Sequence, residues 1–159
     1  MGESGEKVLY VGGELGPVFI GEYSHKIDAK GRVIVPTRFH EDLGDRFVIT
    51  KGLDGCLYIY PTKEWETFLE KLHSLPSNRD TRKLVRSFAA SADVAEVDGQ
   101  GRILIKTSLR EYAGLGKDIV FAGTLNHIEV WDKTAWESEN SMDDMDDIAE
   151  KLADLGLSV

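Results

Sequence analysis

The sequence predicts an α+β fold, mainly β, in which two tandem β-α-β-β units intertwine into one pseudo-symmetric barrel, with connecting helices and a C-terminal helix. Three observations carry the prediction. An eleven-residue motif recurs after about 70 residues, and each copy is followed by the same succession of helix and strand signals. Each unit is only about 45 residues long, too small to bury a core alone, so the two must share one.

The motif fixes the register. Ile27-Asp28-Ala29-Lys30-Gly31-Arg32-Val33-Ile34-Val35-Pro36-Thr37 aligns without gaps on Val97-Asp98-Gly99-Gln100-Gly101-Arg102-Ile103-Leu104-Ile105-Lys106-Thr107. Further matches keep the order: Phe47-Val48-Ile49 with Ile119-Val120-Phe121, Gly52 with Gly123, Leu57 and Ile59 with Ile128 and Val130, and Trp65-Glu66 with Trp136-Glu137. Within each copy, Asp-x-x-Gly-Arg reads as a tight turn, the Asp side chain accepting from a nearby backbone N–H and the Gly taking positive φ. The aliphatic runs Val33 to Val35 and Ile103 to Ile105 do not alternate, which predicts strands buried on both faces. Thr37 and Thr107 stand at N-cap positions, and Gly44 and Gly114 mark the ends of the short helices that follow. Two more strands complete each unit, with Leu57 and Ile59 on one face and Cys56, Tyr58 and Tyr60 on the other.

Between the units the periodicity turns helical. Thr62 caps a helix whose stripe of Trp65, Phe68, Leu69 and Leu72 ends before Pro76. A second helix, near Arg79 to Ser91, sets Leu84, Val85 and Phe88 against a basic face of Arg79, Arg82, Lys83 and Arg86. That face is read first as solvated or paired with acidic neighbours, and second as a DNA contact. The last segment repeats Met142, Met145, Ile148, Ala149, Leu152 and Leu155 at helical spacing with Asn140 or Ser141 as cap, which predicts an amphipathic helix docked on its own body, a partner-binding helix being the alternative. The resulting divisions are 1–17, an N-terminal extension; 18–66, the first unit; 67–91, a helical connector; 92–137, the second unit; and 138–159, the acidic C-terminal helix.

Charge bears directly on partners. The 159 residues carry 19 Lys plus Arg against 28 Asp plus Glu, a net of -9 that by itself argues against a polyanionic partner. Asp132 to Val159 holds -7 of that charge, however, and the body up to Trp131 is nearly neutral at -2. The objection to nucleic acid therefore applies to the tail alone.

Other classes are disfavoured by what the chain lacks. No apolar run reaches the roughly 20 residues of a membrane span. Met1 to Gly16 does not have the form of a secretory signal. Cys56 is the single cysteine, which removes intrachain disulfides and cysteine-based zinc sites, and His25, His40, His73 and His127 lack metal-ligand spacing. Gly114 to Asp118 fails as a phosphate loop because Glu111 stands at the first glycine position and Asp118 at the Ser/Thr position. No nucleophile-base constellation stands out, so neither catalysis nor a cofactor is expected, and Cys56 reads as a small core residue.

The paired turns Asp28 to Arg32 and Asp98 to Arg102, the opening Phe19-Ile20-Gly21-Glu22-Tyr23, and the stretch from Phe121-Ala122-Gly123 to Glu129-Val130-Trp131 closely resemble the MraZ family. The resemblance runs from about Phe19 to Trp136, and Met1 to Pro17 precedes the usual family start. It implies two tandem SpoVT/AbrB-type domains forming a swapped-hairpin barrel. It also implies a cytoplasmic, nucleoid-associated regulator of the division and cell-wall gene cluster, usually a repressor, that binds direct repeats in promoter DNA as a ring-like homo-oligomer.

By position, the DNA-contacting residues implied are Arg32 with Lys30 and Gly31 in the first turn, and Arg102 with Gln100 and Gly101 in the second. Asp28 and Asp98 are the turn-orienting partners, and Arg79, Arg82, Lys83 and Arg86 are secondary DNA candidates. Gln100 in place of Lys30 predicts a second turn with less positive charge. An exposed turn ending in Arg can present a guanidinium to phosphate or to guanine O6 and N7. Two alternatives stand beside this reading. In one, Asp and Arg serve each other and only stiffen the turn; in the other, the whole barrel is a non-catalytic protein-interaction or antitoxin-like module.

Overall fold

The computed structural model describes residues 8–11 and 14–158, so the reading of the first residues as no secretory signal lies largely outside it. In chain order the elements are β1 (Val8–Val11), β2 (Glu14–Pro17), β3 (Glu22–Lys26), β4 (Arg32–Ile34), α1 (Thr37–Leu43), β5 (Arg46–Lys51), β6 (Leu57–Pro61), α2 (Thr62–Ser74), α3 (Arg79–Ser91), β7 (Asp93–Glu96), β8 (Arg102–Leu104), α4 (Thr107–Tyr112), β9 (Asp118–Gly123), β10 (Ile128–Asp132), α5 (Lys133–Glu139) and α6 (Met145–Ala153). All strand pairings are antiparallel. Six strands form one sheet in the order β3-β9-β10-β6-β5-β7, β4 and β8 form a separate two-stranded ribbon, and β1 and β2 form a hairpin.

The two units are interleaved. The first strand of each pairs with the other unit: β3 with β9, and β7 with β5. Two pairings join equivalent residues of the repeat. Val33 faces Ile103 in the ribbon, and Tyr58 faces Glu129 where β6 meets β10. Residues that are partners in the alignment are thus partners in space, so a pseudo-two-fold axis passes between them. The hydrogen bonds join six strands in a row and two in a ribbon; they do not by themselves close a barrel. Each unit begins with a strand that the aliphatic runs did not announce, β3 and β7, because these are exposed on alternate residues and short of aliphatics.

The shared core follows from this interleaving. Val33, Val35, Phe39, Phe47, Ile49, Leu57 and Ile59 of the first unit lie in one buried cluster with Ile103, Ile105, Leu109, Ile119, Phe121, Ile128 and Val130 of the second. At about 25 cal/mol for each Å² of apolar surface removed from water, that joint burial is the main favourable contribution, and neither unit could reach it alone. As expected, Leu57 and Ile59 face this cluster while Tyr58 packs with Cys56 in a smaller one containing Val120 and Trp131.

Four local expectations need correction. The ribbon strands are not buried on both faces: Val33, Val35, Ile103 and Ile105 point inward, but Ile34 and Leu104 are 46% and 53% exposed. A two-stranded ribbon has one face on the core, and a run of three aliphatics cannot tell a reader which residue turns out. Next, Thr37, Thr62 and Thr107 are the first helical residues, not caps; Pro36, Pro61 and Lys106 precede them in extended conformation and no side chain caps these helices. Proline at the cap has fixed φ and leaves the threonine hydroxyl to other partners: Thr62 Oγ1 reaches Arg46 O at 3.5 Å.

The remaining two corrections concern the tail. Asn140 closes α5, a helix begun by the Asp132 carboxylate accepting from Ala135 N at 3.2 Å, and α6 begins only at Met145. Finally, α6 is not docked. None of its residues is buried, and Met145, Ile148 and Leu152 remain exposed. The helix expected near Arg79 to Ser91 is present: α3 spans Arg79–Ser91 and Phe88 is buried on it, with Asn78 Oδ1 accepting from Thr81 N at 2.9 Å at its start.

Candidate nucleic-acid interface

Each Asp-x-x-Gly-Arg sequence folds into the same hydrogen-bonded turn. Asp28 Oδ1 accepts from Lys30 N at 2.9 Å and Arg32 N at 2.8 Å, and Asp28 Oδ2 accepts from Arg32 Nε at 3.1 Å. Backbone bonds Asp28 N to Arg32 O and Gly31 N to Asp28 O close the loop. Asp98 does the same with Gln100 N at 2.8 Å, Arg102 N at 2.9 Å and Arg102 Nε at 3.0 Å. Gly31 and Gly101 turn the chain at φ of 92° and 79°, a conformation that a Cβ would strain.

These bonds hold both carboxyls below the usual carboxylate range. The largest cause in each case is the backbone N–H of the arginine, opposed by partial desolvation and reinforced by the guanidinium. Asp and Arg are therefore paired, and the pairing has a direction. The carboxylate takes the Nε side of the guanidinium, and the terminal Nη1 and Nη2 have no partner among the described residues. The aspartate anchors the arginine and leaves its outer edge available.

The ribbon decides where the two arginines stand. Arg32 pairs with Leu104 and Ile34 with Arg102 across the antiparallel strands. Directly opposed residues share a face and alternate residues along a strand share it too, so Arg32, Ile34, Arg102 and Leu104 form one outward patch opposite the buried Val33 and Ile103. The arginines sit on its diagonal, their Cα atoms about 7–8 Å apart by standard ladder geometry. Because the strands are antiparallel, Lys30 and Gln100, both exposed, lie beyond opposite ends of the ribbon. Ile34 and Leu104 are thus part of the candidate site, which the sequence did not reveal.

The two halves differ around this common frame. Gly31 is buried under Arg110, whose Nε donates to Ile105 O at 2.9 Å and whose Nη2 donates to Thr107 Oγ1 at 3.0 Å. A Cβ on Gly31 would lie 2.8 Å from both Arg110 Nε and Ile105 O, whereas one on Gly101 would meet nothing within 4 Å. At the alignment position of Arg110, the first unit has His40, whose Nε2 lies 2.8 Å from Asp45 Oδ1.

The secondary candidates Arg79, Arg82, Lys83 and Arg86 are exposed along α3, an element packed on β5 rather than part of the ribbon. A further feature is the partly buried His127, in the loop between β9 and β10. Its ring stacks on Tyr60 at 5.1 Å and lies tilted against Tyr58 at 4.4 Å between ring centres, its Nε2 has no hydrogen-bond partner among the described residues, and burial pushes its pKa down to about 4.

Comparison with known proteins follows the same lines. A family model described as "MraZ protein, putative antitoxin-like" matches twice, over residues 18–87 and 88–155. Curated relatives with the name "Transcriptional regulator MraZ" include one from Lachnoclostridium phytofermentans, 57% identical over 141 residues that cover 89% of this chain and 99% of the relative. Another from Acetivibrio thermocellus is 52% identical over 143 residues, 88% of this chain and 100% of the relative. One from Clostridium tetani is 48% identical over 142 residues with the same coverage.

Proposed function

We infer that this chain, which belongs to the MraZ family, is a transcriptional regulator that reads promoter DNA through the outer face of the β4–β8 ribbon, acting as a homo-oligomer without catalysis. The two-unit organisation, 18–66 and 92–137 joined by 67–91, is taken as a swapped-hairpin barrel that carries this ribbon, with 138–159 outside it. The promoter is that of the division and cell-wall gene cluster, the site is cytoplasmic at the nucleoid, and repression is the expected sign, as the resemblance implies.

The observation that carries the reading is the diagonal pair Arg32 and Arg102, each with Nε bound to its own aspartate and its terminal nitrogens without a partner among the described residues. A major groove admits a two-stranded ribbon, and a guanidinium edge can donate twice to guanine O6 and N7 or to phosphate oxygens. Preorientation by Asp28 and Asp98 reduces the rotamer entropy lost on contact. Ile34 and Leu104, exposed between the arginines, match thymine methyl groups. Lys30 adds charge beside the first arginine, and Gln100 makes the second turn weaker electrostatically.

One ribbon is a modest reader. Several copies in one assembly bind spaced repeats far more tightly, because each later contact is intramolecular. The near-neutral body supports the same conclusion: affinity rests on placed arginines repeated, not on a broad basic surface.

The test is binding of the purified full chain to its own promoter at two salt concentrations. Affinity should be sequence-dependent and fall with salt. Arg32→Ala should weaken binding by about 5- to 150-fold for each contacting copy, the equivalent of about 1–3 kcal/mol, with fold and oligomer size unchanged. Unchanged promoter affinity would refute the site, and a collapsed fold or oligomer would assign the pair to turn stiffening. The family description "antitoxin-like" favours a second reading, a protein-interaction module, which predicts no saturable promoter binding by the unmutated chain.

A further inference from the structure

The tail helix and the helical connector each leave an apolar surface uncovered, and the two match. On α6, Met145, Ile148, Ala149 and Leu152 fall within an arc of about 100° at 100° per residue. Met145, Ile148 and Leu152 are exposed on it. On the body, α2 and α3 enclose a groove of about 820 Å³, with Leu69, Leu72 and Leu75 on one side and Val85 on the other.

Charge gives the match an orientation. One flank of the α6 stripe carries Asp146 and Glu150, and the other carries Lys151. The groove has the inverse arrangement: Arg82 and Arg86 line its α3 wall, and Glu70 lines its α2 wall. Among the described residues these two arginines have no carboxylate partner, and Arg82 makes only a 3.5 Å contact with Ser77 Oγ.

Within one chain the two surfaces do not meet. The tether is pinned by Asn140 Nδ2 donating to Trp136 O at 3.1 Å, Asp143 N to Ser141 Oγ at 3.2 Å, and Met145 N to Met142 O at 3.2 Å. These bonds fix the short link between α5 and α6; α5 packs on β9 and β10, while α2 and α3 pack on β5 and β6.

We propose that α6 of one copy seats in the α2–α3 groove of a second copy of this chain, its apolar stripe on Leu69, Leu72 and Val85, Asp146 and Glu150 against Arg82 and Arg86, and Lys151 against Glu70. The proposal rests on the homo-oligomeric reading above and states where the copies meet. Each copy offers one helix and one groove, so exchange closes either a reciprocal pair or a head-to-tail ring. It also assigns the α3 cations to assembly, leaving the ribbon as the DNA-reading surface.

Two measurements on the full chain test it. Chains carrying Val85→Cys and chains carrying Ile148→Cys, mixed and oxidised, should give a two-chain disulfide species that neither yields alone; Cys56 is buried and does not compete. By light scattering across a dilution series, Arg82→Glu with Arg86→Glu should raise the dissociation midpoint about fivefold or more, and adding Asp146→Arg with Glu150→Arg should restore most of the loss. Ile148→Asp, at an exposed position, should dissociate the assembly without unfolding the chain.

An oligomer that ignores all α6 variants and yields no mixed disulfide overturns this contact and leaves the homo-oligomeric reading standing. A chain that is monomeric at every concentration overturns both. A disulfide formed within a single chain carrying both cysteines, and not between chains, places the helix on its own body and also overturns the proposal.

Discussion

Gly31 and Gly101 are equivalent in the repeat and both have positive φ, yet substituting alanine should have very different consequences. At Gly101 the cost is conformational alone, because an added Cβ meets nothing within 4 Å; at φ of 79° it amounts to about 1–2 kcal/mol. At Gly31 the same strain applies at φ of 92°, and the Cβ would also lie 2.8 Å from the Ile105 carbonyl oxygen and 2.8 Å from Arg110 Nε. That carbonyl belongs to the residue just after β8, whose own N–H donates to Gly31 O at 2.8 Å, so Ile105 is tied to Gly31 and its carbonyl has little room to retreat. Overpacking contributes a further 1–3 kcal/mol or so, and displacing Arg110 from Ile105 O about 1 kcal/mol.

Gly31→Ala should therefore cost roughly 3–6 kcal/mol against about 1–2 for Gly101→Ala. For a chain of this size each kcal/mol lowers Tm by about 2–4 °C, so the two variants should be separated by at least about 4 °C in calorimetry, with urea midpoints ordered the same way. Adding Arg110→Ala to Gly31→Ala should recover part of the loss but not the share due to the carbonyl. Equal Tm values for the two glycine variants would refute the reasoning, since only the surroundings distinguish them.

Three further outcomes are expected. His127 has its pKa lowered by burial to about 4, so the unfolded chain binds more protons between pH 6.5 and 4, and stability should fall as pH falls through that window. From pH 7.5 to 4.5 this group's share is about 2.5 kcal/mol; His127→Phe should flatten the pH dependence of urea midpoints, and parallel curves for the two proteins would refute the assignment. Cys56 is fully buried and its thiol is pushed up, chiefly by desolvation, so a thiol reagent should label it only at the rate of unfolding; rapid labelling of native protein would contradict its place in the core. Thr50 is fully buried with Oγ1 donating to Phe88 O at 2.8 Å, so Thr50→Val should cost about 1–3 kcal/mol by leaving that carbonyl unpaired and should increase hydrogen exchange in α3 before the sheet; uniform exchange would show that Thr50 does not dock the helix.

Much of the fold was legible because it rests on local chemistry. Asp28 and Asp98 accept from backbone N–H groups two and four residues on, within the span of one turn, and Gly44 and Gly114 take the positive φ that ends a short helix. The bounds of α3 follow from the apolar spacing of Leu84, Val85 and Phe88. The ribbon was misjudged because Ile34 and Leu104 differ from their neighbours only in which way they face, and that is set by strand pairing. The tail was expected to dock because an amphipathic stripe calls for a partner, but the periodicity does not say whose surface supplies it.

The sequence by itself determined the duplication, the two aspartate-bound arginine turns and the location of the negative charge beyond residue 131, since each is written in residue order and spacing. Only the tertiary structure decided that the turns open onto one antiparallel ribbon, that Arg32 and Arg102 share its outer face with Ile34 and Leu104, and that Arg110 crowds Gly31 but nothing crowds Gly101. The physical reason is distance along the chain. The ribbon joins residues some 70 positions apart, and nothing local to either strand specifies the register in which they meet.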